Sequence, residues 1–139
     1  MSDLQVGVVV AELTVRVTRE SLVRYAGASG DFNPIHYRDD VAESVGLPGV
    51  LAHGMLTMGI AVAPVVNWLG PTGLILDYAV RFTRPVVVDA TDGAELTILA
   101  RVGALGTDAE EGTARIDLTV SCADRTVLGK AQVRVRLPA

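Results

Sequence analysis

The chain has 139 residues, enough for one domain around a single core and too few for two of ordinary size. Half of the residues are hydrophobic, which argues against disorder, and a formal charge of −4 does not suit a protein that coats nucleic acid. The lone Cys122 excludes an intrachain disulfide framework or a cysteine-based metal cluster and agrees with a cytoplasmic location, and Met1-Ser2-Asp3-Leu4-Gln5 lacks the basic-then-apolar order of a secretory leader.

Val8 to Val17 combines a β-branched run with alternation at Leu13, Val15 and Val17 and reads as a first strand. Thr18 is placed to cap a helix over about Arg19 to Ala28, with Glu20 near the positive end of its dipole. Leu22, Val23, Tyr25 and Ala26 give that helix its apolar side, and Gly30 ends it. Asp39 or Asp40 is expected to cap a short helix reaching Val45, stopped by Gly46, with a turn at Pro48-Gly49.

The longest apolar run, Met55 to Leu69, follows His53-Gly54. It is shorter than the roughly 20 residues of a membrane span and is interrupted by Gly59, Pro64 and Asn67. A helix apolar on every side is one buried on every side, so this run is expected to form a central helix, kinked in the turn before Pro64. Strands fill the rest: Leu74–Thr83, Glu95–Val102, Arg115–Ser121 and Thr126–Leu137. A Gly-rich acidic loop is expected from Gly103 to Gly112 and a hairpin turn at Ala123-Asp124-Arg125. Alternation of this kind belongs to antiparallel sheets with one dry face. The order fits an α+β fold, residues 1–139 forming one domain in which an antiparallel sheet wraps a long central helix.

Chemistry concentrates in Ser29-Gly30-Asp31-Phe32-Asn33-Pro34-Ile35-His36. Pro34 fixes its own φ and biases Asn33 away from helix, so Asp31 and His36 sit on a stiff loop. A carboxylate and an imidazole so held can divide general acid and general base work. Taken singly, Asp31 also reads as a turn carboxylate and His36 as a histidine satisfied by a carbonyl. Gly54 either permits close packing at a helix start or offers an unpaired N–H in the dipole field to a developing oxyanion. His53 could serve as a second acid or base but reads as structural, and Met55 and Met58 read as core that would also suit an apolar tunnel. Taken one by one, Arg81, Arg84, Arg101, Arg134 and Arg136 read as solvated strand faces, whereas several gathered at a sheet edge could meet a phosphate or an acidic carrier protein; Cys122 reads as inert. No P-loop, dinucleotide fingerprint, G-x-S-x-G elbow or metal-ligand spacing is present.

The run from Tyr25 to His36, with Ala42 beyond it, resembles the hydratase-2 motif of MaoC-like (R)-specific enoyl hydratases and (3R)-hydroxyacyl-ACP dehydratases. Ala52-His53-Gly54-Met55-Leu56-Thr57-Met58-Gly59 and the Tyr78–Pro85 stretch are also similar to that family, most of all to the catalytic B subunits of actinobacterial dehydratases. The resemblance implies a hot-dog fold that dimerises edge to edge, with itself or with another hot-dog subunit. It implies reversible hydration of trans-2-enoyl thioesters on CoA or acyl carrier protein, with no cofactor and no metal. Asp31 and His36 become the catalytic dyad, Gly54 the oxyanion donor and Asn33 a support for the loop. One departure is that many single-gene hydratases carry a serine two turns into the central helix, where this chain has Ala61, Val62 and Ala63. A hot-dog thioesterase and a non-catalytic acyl-binding subunit are the alternative readings.

Overall fold

Alternating burial organises the second half of the chain. In the computed structural model, which describes residues 4–106 and 110–138, buried residues alternate with more exposed ones over most of the three long strands. The elements are β1 (Val9–Val17), α1 (Arg19–Ser29), a 3-10 turn (Pro34–His36), α2 (Asp39–Ser44), α3 (Gly54–Leu69), β2 (Leu74–Phe82), β3 (Ala94–Leu105), β4 (Thr113–Cys122) and β5 (Arg125–Arg136). The strands form one antiparallel sheet in the order β1-β3-β4-β5-β2, so β1 and β2 are its edges. Its dry face, built from residues such as Leu96, Ile98, Ile116, Val120 and Val133, packs on Ala61, Val65 and Leu69 of α3. Tyr78 ties edge strand to helix by donating its hydroxyl to the Met58 carbonyl at 2.9 Å. Burial pushes that phenol up to about 12. None of the described helices is long and apolar enough to cross a membrane.

Four expectations change. The central helix runs unbroken through Pro64, but it is not buried on every side. Met55, Gly59, Val66 and Asn67 are exposed in the protomer, because the sheet covers only one flank of α3. The expected loop from Gly103 starts late: β3 continues to Leu105 across a bulge at Val102/Ala104. Gly103 stays in the strand because the Arg115–Asp117 ion pair of β4 lies over it, where an added Cβ would collide with both side chains. Neither Asp39 nor Asp40 caps α2; Arg38 holds the cap position without a side-chain bond. Their carboxylates instead pair with the Arg19 and Arg38 guanidiniums, which hold both below the usual range. The β4–β5 turn is Ala123-Asp124, both at positive φ, and Arg125 already pairs with Cys122.

Between β2 and β3 an extended segment fixes the floor of the site. Ala52 N–H donates to the Val86 carbonyl and Val88 N–H to the Val50 carbonyl, each at 2.8 Å. Val50, Val86 and Val88 are buried there, so the chain just before α3 is held in place from both sides.

Candidate active site

Helix α1 delivers the first group. Thr18 Oγ1 accepts from Ser21 N–H at 3.2 Å while Ser21 Oγ accepts from Thr18 N–H at 3.1 Å, a reciprocal box that fixes the helix start. At the other end Gly30 takes φ +77°, and its N–H bonds the Ala26 carbonyl at 2.9 Å. Asp31 follows directly. Ser29 Oγ accepts from Asp31 N–H at 3.1 Å, Asp31 Oδ1 from Asn33 N–H at 3.2 Å, and Asn33 Oδ1 from Ile35 N–H at 3.2 Å. Asn33 thus caps the 3-10 turn, and Pro34 fills its first position, where a missing N–H costs nothing.

His36 ends that turn and is 8% exposed. Its Nδ1 lies 2.7 Å from the Leu51 carbonyl, so the proton of the neutral ring sits on Nδ1 and donates there. Nε2 is left as an acceptor, 4.0 Å from Asp31 Oδ2. That gap is too long for a direct bond. A hydroxyl or water oxygen about 2.8 Å from both atoms would subtend about 90° between them, close to the angle at which water donates twice. The Asp31 side chain is half-exposed and that of His36 is not, so the pair bridges solvent and interior.

Beneath His36 lies His53, 1% exposed. The two rings stack with centroids 3.8 Å apart and planes 23° apart, and Tyr25 of α1 meets the His53 ring at 4.8 Å and 62°. His53 Nε2 donates to the Asp31 carbonyl at 3.1 Å, whereas its buried Nδ1 has no partner among the described residues. The next residue, Gly54, opens α3. His53 offers no side-chain cap to the first N–H groups of the helix, which lie in the positive field of the dipole. A cleft of about 140 Å³ lined by Ala52, Gly54, Thr57 and Phe82 begins at that point. Phe82 crowds this position, where a Cβ would stand 3.0 Å from Phe82 Cε1.

The structure brings Asp31, Asn33, His36 and Gly54 together at one loop–helix junction. Sequence reasoning missed the Leu51 carbonyl and the edge of Tyr25, and it left His53 in the background. Tyr25, one turn before the helix end, was the available signal. Asp31, His36 and His53 each bring one ligand-type atom within 4.8 Å of the others, a donor set of the kind that takes divalent transition metals. Nδ1 of His36 and Nε2 of His53 are, however, spent on backbone carbonyls. Three of the five arginines are anchored separately, Arg84 to the Thr126 carbonyl, Arg101 to the Gly7 carbonyl and Arg136 to Glu110. Cys122 is half-buried, and burial together with Glu95 pushes its thiol up.

A curled antiparallel sheet on a long central helix, with a carboxylate and an imidazole beside the helix N-terminus, defines a hot-dog domain. Residues 5–120 match the sequence profile of the MaoC like domain, and the chain belongs to that family. It is 40% identical over 79 residues to 3-hydroxyacyl-thioester dehydratase X of Mycobacterium tuberculosis, covering 57% of this chain and 27% of that protein. It is 30% identical over 135 residues to 3-hydroxybutyryl-CoA dehydratase of Methylorubrum extorquens, covering 96% of this chain and 82% of that protein. A solved MaoC-like dehydratase superposes with a TM-score of 0.91 at 36% identity, over 98% of this chain and 41% of that one. The chain therefore spans less than half the length of two of these relatives.

Proposed function

We propose that this chain is a hydro-lyase that adds water reversibly to trans-2-enoyl thioesters, giving (3R)-3-hydroxyacyl thioesters, with CoA or acyl carrier protein as the carrier. The observation that carries the reading is the 4.0 Å gap between Asp31 Oδ2 and His36 Nε2, beside the N-terminus of α3.

The chemistry asks for these parts. Proton exchange at C2 of a thioester builds enolate charge on the carbonyl oxygen, which the Gly54 N–H is assigned to stabilise. Departure of the 3-hydroxyl as water requires a proton, and removal of the C2 hydrogen requires a base on the same face for syn geometry. Asp31 and His36 supply both as one coupled unit, exchanging roles between the two directions. In hydration the water bridging them attacks C3 while a proton passes to C2. Asn33 supports the loop that sets their spacing. The steps use no cofactor and no metal.

The working unit is proposed to be a pair of hot-dog protomers, of two identical chains or of this chain with another subunit. Among the described residues edge strand β2 has no strand on its outer side, and Leu74, Ile75 and Phe82 on it are exposed, as are Met55 and Val66 of α3. Covering that surface and pairing the edge removes both liabilities. A cytoplasmic setting agrees with the unpaired thiol of Cys122.

The test is crotonyl-CoA turnover followed in two channels, loss of enoyl absorbance and release of free thiol. Asp31→Asn and His36→Ala should each lower hydration by about 10²–10⁴-fold without unfolding the protein. Thiol release without hydration, or full turnover in both variants, would refute the assignment.

A further inference from the structure

We infer that His53 is a positioning residue for both halves of the dyad: its Nε2–H holds the backbone of Asp31 and its ring face holds the plane of His36. The inference rests on the hydro-lyase reading of Asp31 and His36. A ring that only filled space at this depth would gain nothing from being imidazole. At 1% exposure one nitrogen is buried without a partner among the described residues, a penalty that a leucine or phenylalanine would escape. What the imidazole supplies instead is specific. Among the described residues it is the one side chain bonded to the Asp31 carbonyl and also stacked on His36.

The two contacts act on different freedoms. Asp31 sits immediately after the left-handed Gly30, where the chain leaves α1. With its carbonyl clamped at 3.1 Å by a residue 22 positions later, the peptide that carries the carboxylate cannot swing with the loop. His36 is fixed about one axis by its bond to the Leu51 carbonyl, and it would still rock about that bond without a flat surface beneath it. The stacked His53 ring is that surface. The bonds also assign opposite tautomers, Nδ1–H for His36 and Nε2–H for His53, leaving His36 Nε2 free to face Asp31.

His53→Phe keeps an aromatic face and removes the donor, whereas His53→Gln keeps an N–H near the Nε2 position and removes the face. Measured on the full chain with crotonyl-CoA, kcat of His53→Phe should fall about 10–100-fold with KM within about twofold, because a displacement of about 1 Å in a reacting group has that effect. His53→Gln should retain more activity than His53→Phe. A His53→Phe protein whose kcat per folded site is unchanged would overturn the inference, as would equal losses in kcat and in folded fraction. A second readout needs no variant. The chain contains only two histidines, so long-range proton–nitrogen correlation spectra at about pH 8 resolve both rings. His53 should appear as the Nε2–H tautomer and His36 as the Nδ1–H tautomer; His53 as Nδ1–H would overturn the inference. Should Asp31→Asn and His36→Ala prove fully active, the hydro-lyase reading is what fails. Should those two be inactive and His53→Phe fully active, the fault lies with His53 alone.

Discussion

Gly54→Ala separates the chemistry of the helix N-terminus from its packing. The added Cβ would stand 3.0, 3.3 and 3.4 Å from Cε1, Cδ1 and Cζ of Phe82, and Phe82 is 55% exposed. Ordinary carbon contact lies near 3.5–4.0 Å, so the ring must retreat by about 0.7 Å, which its exposure in the protomer allows. Displacing an exposed ring from its rotamer costs about 0.5–1.5 kcal/mol, while alanine at this first helical position gains at most about 0.5–1 kcal/mol over glycine. The two offset, and urea unfolding should report a net change within about 1 kcal/mol. Activity should respond far more. The N–H remains, but a methyl group crowds the approach of the thioester oxygen to it. Loss of one oxyanion donor costs about 10²–10³-fold in rate, which sets the upper bound, and a 10–100-fold fall in kcat/KM for crotonyl-CoA is expected. The double variant Gly54→Ala/Phe82→Ala gives the ring nowhere to clash and should remain impaired. Activity within threefold of the parent in Gly54→Ala, or full rescue in the double variant, would refute the role assigned to this amide.

Three further outcomes follow from the geometry. Gly93→Ala should destabilise by about 2–4 kcal/mol in urea unfolding, because Gly93 has φ +70° and its Cβ would meet the Val17 carbonyl oxygen at 2.5 Å. Thr18→Ala should cost about 1 kcal/mol through loss of the capping box, with hydration activity retained at low temperature. The Tyr78 phenol, raised by burial from 10.0 to about 12, keeps a proton that the unfolded chain releases. Stability should therefore decline as pH rises from 10 to about 12, and Tyr78→Phe should flatten that decline, as read by alkaline denaturation.

Most of the fold was legible because period-2 alternation survives wherever one face of a sheet is dry, as in Arg115–Ser121 and Thr126–Leu137. The loop was legible for a different reason. Gly30 and Pro34 carry conformational instructions that need no tertiary context, and they bracket Asp31. What escaped depended on partners distant in sequence. Gly103 reads as loop until the Arg115–Asp117 pair is seen lying across it. Asp39 reads as a cap until Arg19, 20 residues earlier, is found to claim it. The exposed side of α3 escaped because hydropathy records that a surface is to be covered, not by which chain. His53 looked structural because its two contacts, the Asp31 carbonyl and the face of His36, exist only once α3 has docked beside the loop.

The span from Asp31 to Gly54 comes from a single uninterrupted segment of one chain, so the proposed acid–base set travels whole. On the proposed reading, an assembly of two unlike subunits requires only one carrier of that segment to turn over. Mixing this chain with a copy disabled at Asp31 would then leave every mixed assembly with one working centre, and output would track the number of intact segments rather than the number of intact pairs.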